Sequence, residues 1–283
     1  MDIVFIDETF DINQTKNYHI SIQAGLNGYS FSVLDPLNNK YILLKHFAFE
    51  PTLTDAKLVE KITEINGNDE FLTREYRSAL FSYQSPRYTL IPAPLFNKDN
   101  LKTYFEFNHF LDDTDEIHYN GLKNIDAFNL FVIPEPLSAA VQKAFSGVRF
   151  FSQATPLAEH GLMFYGGKRT KKVVMANIYG HNIDVVVVEG DNLLLCNTFP
   201  WKNEQDLVWF IMYVYEQLKL SGSEIPLVIS GELRKTSPVF DMLRSYIRIV
   251  RFEKHNDHFK YSYTFNKIDQ HWFANLFNLR LCV

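Results

Sequence analysis

The chain runs twice through the same order of elements, and this constrains its fold more than any single residue does. In the first half, residues 18–24 (YHISIQA) space β-formers with polar residues, and 25–28 (GLNG) is a tight-turn signal. Residues 29–34 (YSFSVL) alternate large and small side chains, as a half-buried strand does. A second turn at 35–39 (DPLNN) leads to a third strand at 41–49 (YILLKHFAF). A helix follows, with Thr54 as its N-cap and Leu58, Ile62 and Ile65 at helical spacing. The second half repeats the order: strand 173–179 (VVMANIY), turn 180–182 (GHN), strand 183–188 (IDVVVV), turn 189–192 (EGDN), strand 193–199 (LLLCNTF). A helix then runs from Asn203 or Glu204 to about Leu220. Its segment LVWFIMYVY is apolar nearly all round, which predicts a buried helix.

The parallel continues. Residues 127–133 (AFNLFVI) read as the fourth strand of the first copy, followed by a helix at 135–145 and a strand at 148–151. In the second copy the matching pieces are 226–229 (PLVI), 237–246 and 247–252. Each half therefore reads βββ-α-β-α-β, followed by a further helix, at 154–163 and at 268–277. The first copy holds extra residues at about 75–126, enough for a small subdomain. Pro92 and Pro94 put its apolar run 89–96 at a sheet edge or end. The division expected is 1–165 for a first lobe and 166–283 for a second, the fold class being α/β with two tandem mixed sheets flanked by helices.

Composition narrows the function. The net charge is −5, which disfavours a globally basic nucleic-acid binder. The longest apolar run is 207–215, far short of the roughly 20 residues of a spanning helix. Only two cysteines occur, Cys196 and Cys282, and nothing in their placement demands a disulfide. The N-terminus, MDIVFIDETF, has no signal-peptide pattern. A cytoplasmic chain with reduced thiols and no stable membrane insertion is expected.

A tandem βββ-α-β-α-β pair with an insertion in the first copy resembles the actin-like ATPase fold, also called ribonuclease H-like. More narrowly, the chain resembles an uncharacterised bacterial family of unknown function with that fold. The actin-like proteins of type IV pilus assembly and of cell division are similar in layout. The resemblance implies Mg·ATP bound between the lobes. It also implies an Asp-x-Gly at the end of each first strand, whose acids organise the metal and the attacking water. Here those corners read Gln23-Ala24-Gly25 and Ile178-Tyr179-Gly180, so both glycines persist and both acids are missing. The implied adenosine segment reads Leu227-Val228-Ile229-Ser230-Gly231-Glu232, with one of the family's paired glycines absent. By this resemblance the residues placed at a degenerate nucleotide site are Gly25, Asn27, Gly180, Asn182, Ser230, Gly231 and Glu232. No catalytic residue and no metal ligand is assigned.

The remaining signals favour structure over chemistry. The basic run from Lys168 to Lys172 reads as a solvated connector. His255, Asp257 and His258 have metal-pair spacing but no third ligand. The pairs Asp7-Glu8 and Asp112-Asp113 read as solvated charges. The amphipathic C-terminal stretch is expected to pack on the second lobe, since Arg280 is its one clear cation and membrane-surface helices are usually basic. The sequence thus points to a non-catalytic module that binds an unidentified protein, with no cofactor and with an exposed apolar patch on the insert. The alternative is a divergent ATPase or phosphotransferase that recruits Asp184 or Glu232 to the cleft.

Overall fold

The computed structural model describes residues 3–50, 54–166 and 172–283. Four of the five residues in the basic run, Lys168 to Lys171, lie outside them.

The first lobe begins with β1 (Ile3–Ile6), β2 (His19–Gly25), β3 (Gly28–Asp35) and β4 (Lys40–Ala48), followed by α1 (Asp55–Asn68) and β5 (Ser78–Tyr83). Next come β6 (Tyr88–Pro92), α2 (Leu101–Glu106), β7 (Asp115–Gly121) and β8 (Ala127–Pro134). The lobe resumes with α3 (Glu135–Ala144), β9 (Arg149–Ser152) and α4 (Ala154–Tyr165). The second lobe contains β10 (Lys172–Tyr179), β11 (Asn182–Glu189), β12 (Asn192–Pro200), α5 (Glu204–Gln217), β13 (Leu227–Gly231), α6 (Pro238–Tyr246) and β14 (Val250–Phe252). The C-terminal segment carries β15 (Lys260–Tyr261) and α7 (Ala274–Asn278).

The strand orders show the duplication. The second sheet runs β12-β11-β10-β13-β14, and the first contains β4-β3-β2-β5-β9. In both, the first three strands pair antiparallel and the last two join parallel. β1 and β15 extend the first sheet along the outer edge of β4.

One strand assignment is corrected. The fourth strand of the first sheet is β5, which lies within the segment read as insertion. The AFNLFVI segment is instead β8, the centre of a separate three-stranded sheet ordered β6-β8-β7. Both are buried apolar runs of strand length, and periodicity does not say which sheet such a run joins. The extra sheet thus emerges after the carboxyl end of β5, beside the cleft. Its edge strand β6 ends on Pro92, where a missing N–H leaves no gap in a ladder.

Both sheets are covered on both faces. All of β3 and the centre of β11 are buried, as near-continuous apolar runs require. α1 and α3 cover one face of the first sheet, and α5 and α6 one face of the second. The other faces are covered crosswise. Leu157 and Leu162 of α4 pack on Val173, Met175, Val186 and Val188 of the second sheet. Phe265, Phe273, Leu276 and Phe277 of the C-terminal segment pack on Leu34, Tyr41 and Leu44 of the first. The C-terminal stretch, expected to pack on the second lobe, packs on both: Asp269 pairs with Lys235 and His271 bonds Leu233 and Gly231 of the second lobe, while its aromatic residues cross to the first sheet. α4 already fills that face, so the last segment crosses to the face still open. α5 departs from expectation too: it buries Leu207, Ile211 and Val214, but Trp209 is 59% and Tyr213 38% exposed. No helix among the described residues is long and apolar enough to cross a membrane.

Candidate functional site

The two sheets present their first hairpin turns to each other. In the first, Gly25 pairs with Gly28, so Leu26 and Asn27 form the turn. In the second, Tyr179 pairs with Asn182, so Gly180 and His181 form it. By this register Gly25 corresponds to Tyr179, and Gly180 to Leu26, an offset of one from the equivalence that glycine matching suggests. Gly180 adopts φ +49°, the conformation that favours glycine in a two-residue hairpin. The turns touch: a Cβ added to Gly180 would stand 3.6 Å from that of Asn27.

Glu232 closes this junction. It follows Gly231, whose φ of +85° and approach to the Ile178 carbonyl leave no room for a side chain. The Glu232 N–H donates to that same carbonyl at 2.8 Å, which fixes the start of the side chain. Its Oε1 accepts the side-chain amide of Asn27, and its Oε2 accepts the Gly180 N–H at 3.2 Å. One carboxylate of the second lobe thus bridges the turns of both. Desolvation pushes its carboxyl above the usual range, and the two donors only partly oppose this.

Two cavities flank the bridge, of about 550 and 720 Å3. Asn27, Gln84, Tyr179 and Glu232 line both. The smaller adds Leu26, Phe49, Ser85, Arg87, Val132, Gly180, His181 and Asn182. The larger adds His46, Asn177, Gly231, Arg234, Lys267, Trp272 and Phe273. Of the residues singled out in the sequence, Asn27, Gly180, Asn182, Gly231 and Glu232 therefore face the cleft. Gly25 and Ser230 form the wall behind it: a Cβ on Gly25 would meet Gln84, and the Ser230 hydroxyl donates to Asn177 at 3.1 Å. Gln84, Ser85 and Arg87 went unnoticed because they follow β5, the strand assigned to the insertion. Their signal was the alternating run SALFSY just before them.

Asp184 does not face the cleft. It is fully buried, and its Oδ1 accepts the hydroxyls of Thr198 at 2.5 Å and Tyr179 at 3.1 Å, and the Gln153 amide at 3.3 Å. The Thr198 hydroxyl also reaches the Tyr88 hydroxyl of β6 at 3.3 Å, so the cluster joins the extra sheet to both lobes. Burial pushes the Asp184 carboxyl up to about 6 and the Cys196 thiol up to about 12.

Mg·ATP does not fit this arrangement. The N–H of Gly180, which the resemblance would aim at a phosphate, is taken by an internal carboxylate. Neutral or apolar residues (Gln23, Ala24, Ile178, Tyr179) stand where the metal-organising acids would be. Asp184 is sealed in the core, and no group of three His, Cys, Asp or Glu among the described residues forms a metal cluster. The His255–His258 segment is structural: His255 stacks on Tyr261 at 3.8 Å, and burial holds its imidazole down at about 4. Asp112 and Asp113 are exposed. Asp7 is not a solvated charge, since it is buried, pairs with Lys40 at 2.7 Å and accepts from Thr9.

Comparison with known proteins supports the fold and leaves the activity open. No curated protein matches the chain. A solved protein of Bacteroides thetaiotaomicron, described as having an actin-like ATPase fold and unknown function, superposes with a TM-score of 0.79 at 25% identity. That match covers 87% of this chain and 94% of the other. The PilM–PilN type IV pilus biogenesis complex gives 0.61 at 12% identity, over 93% and 97%. The ethanolamine utilization protein EutJ of Carboxydothermus hydrogenoformans gives 0.54 at 9%, over 98% and 93%. The chain has the actin-like ATPase fold. Residues 7–250 match the family described as protein of unknown function (DUF3822), and the chain belongs to that family.

Proposed function

We propose that this protein is a non-catalytic actin-like module that acts in the cytoplasm by binding another protein. The observation that carries the reading is the Glu232 carboxylate, which takes donors from both hairpin turns where phosphates would otherwise be cradled. A fixed negative charge there opposes a triphosphate. The extra sheet and its helix supply surface for a partner: Leu95, Phe107 and Phe110 are 66%, 88% and 78% exposed. Likeness to a fold solved in a complex with a second protein agrees with this use. The two free thiols suit a reducing compartment.

The test is thermal unfolding with and without Mg·ATP. A ligand at a hundred times its dissociation constant stabilises by about 2.7 kcal/mol, so a true site gives a clear rise in Tm. No rise is expected. A rise that depends on nucleotide and metal together overturns the reading.

A further inference from the structure

A carboxylate offers about four acceptor positions. Glu232 uses two of them, both on neutral donors. It opens onto both cavities, and among the described residues no ion pair is formed with it. The basic side chains around it are engaged or set apart. Arg87 is held by Asp115 at 2.5 Å and by Asp112 at 3.3 Å. His181 packs against the Trp201 ring at 5.5 Å. Arg234, Lys267 and His46 line only the larger cavity. Glu232 is exposed at the mouth of the cleft, where an incoming cation can reach the acceptor positions that the two neutral donors leave free.

We propose that the smaller cavity receives the guanidinium of an arginine side chain presented by the partner protein, and that this guanidinium pairs with Glu232. The inference rests on the protein-binding reading and names the chemistry of the partner. Leu26, Phe49 and Val132 give apolar wall for the methylene stem. Asn182, Gln84 and Ser85 offer oxygens to the guanidinium N–H groups that the carboxylate leaves free. A planar fork suits the two-oxygen face of a carboxylate better than an ammonium does. The cavity volume lies in the ordinary range for side-chain-sized and larger ligands. Burial has already raised the Glu232 acid, so the bound cation should draw it back toward its ordinary range.

The experiment titrates the full chain with N-acetyl-arginine methylamide and with its citrulline counterpart, the uncharged isostere, by saturation-transfer NMR. The arginine probe should bind at least tenfold more tightly. Glu232→Gln should bring the two probes to the same affinity. Equal affinities on the unaltered chain, binding by neither probe, or a preference that survives Glu232→Gln overturns the inference. The comparison on the unaltered chain needs no variant, so a folding defect in Glu232→Gln does not blur it. Loss of the arginine preference without stabilisation by Mg·ATP removes this inference alone. Stabilisation by Mg·ATP removes the protein-binding reading beneath it.

Discussion

Asn27 and Glu232 stand 205 residues apart in the chain, and the amide of the first donates to the carboxylate of the second across the cleft. This contact joins the hairpin turn of one lobe to the strand end of the other.

A second negative charge at the contact should open it. Asn27→Asp sets two carboxylates against each other, whereas Asn27→Ala only removes a donor. At pH 8 the aspartate variant should be less stable than the alanine variant by about 1 kcal/mol, the usual scale of a charged hydrogen-bond partner. At pH 4 the gap should close as the raised Glu232 acid takes its proton. Denaturant unfolding at the two pH values measures this, and a pH-independent gap counts against the bridge.

Asp184 makes the protein sensitive to mild acid in an unusual direction. Its folded pKa of about 6 lies above the ordinary 3.8. The folded state therefore binds more protons between those values, and the Asp184 contribution to stability falls as pH rises from about 4 to 6. Asp184→Asn keeps an acceptor for Thr198 and Tyr179 and removes the charge. Relative to the parent, the variant should gain about 3 kcal/mol across that interval, the free-energy equivalent of the shift. Paired thermal melts at steps of pH test the slope, and parallel curves contradict the assignment.

Two glycines should respond oppositely to alanine. A Cβ at Gly231 would meet the Ile178 carbonyl oxygen at 2.0 Å with φ at +85°, so Gly231→Ala should cost about 3 kcal/mol or more. Gly67, within α1, has nothing within 4 Å of such a Cβ, and Gly67→Ala should stabilise by up to about 1 kcal/mol. Equilibrium unfolding of both variants decides it.

The crosswise cover predicts where a core defect is felt. Phe277 lies 4.7 Å from Tyr41 in ring-centroid distance, and the Tyr41 hydroxyl donates to the Phe277 carbonyl at 2.5 Å. Phe277→Ala should cost about 3–5 kcal/mol. Hydrogen exchange should quicken first in β3 and β4 of the first sheet. Quickening confined to β10 and β11 would return the C-terminal segment to the second lobe.

Much of the fold was legible because strand order and turn chemistry are local. GLNG and GHN each specify a two-residue hairpin, and IDVVVV announces a strand buried on both faces. Gly231 and Glu232, singled out through the segment that the resemblance aligns with adenosine binding, do line the cleft. Gln84 and Arg87 were missed for the converse reason. Two apolar runs, SALFSY and AFNLFVI, compete for one place in the sheet, and only hydrogen-bond partners choose between them.

The sequence alone settled that two copies of one supersecondary pattern are present and that acids are missing from both turn corners. These are properties of neighbours in the chain. The tertiary structure decided the rest: which sheet each long-range segment covers, that Asp184 is sealed away while Glu232 faces the cleft, and that Asn27 meets Glu232. Burial and charge pairing depend on what the other lobe brings into contact, and nothing in local propensity encodes the partner of a surface several hundred atoms away.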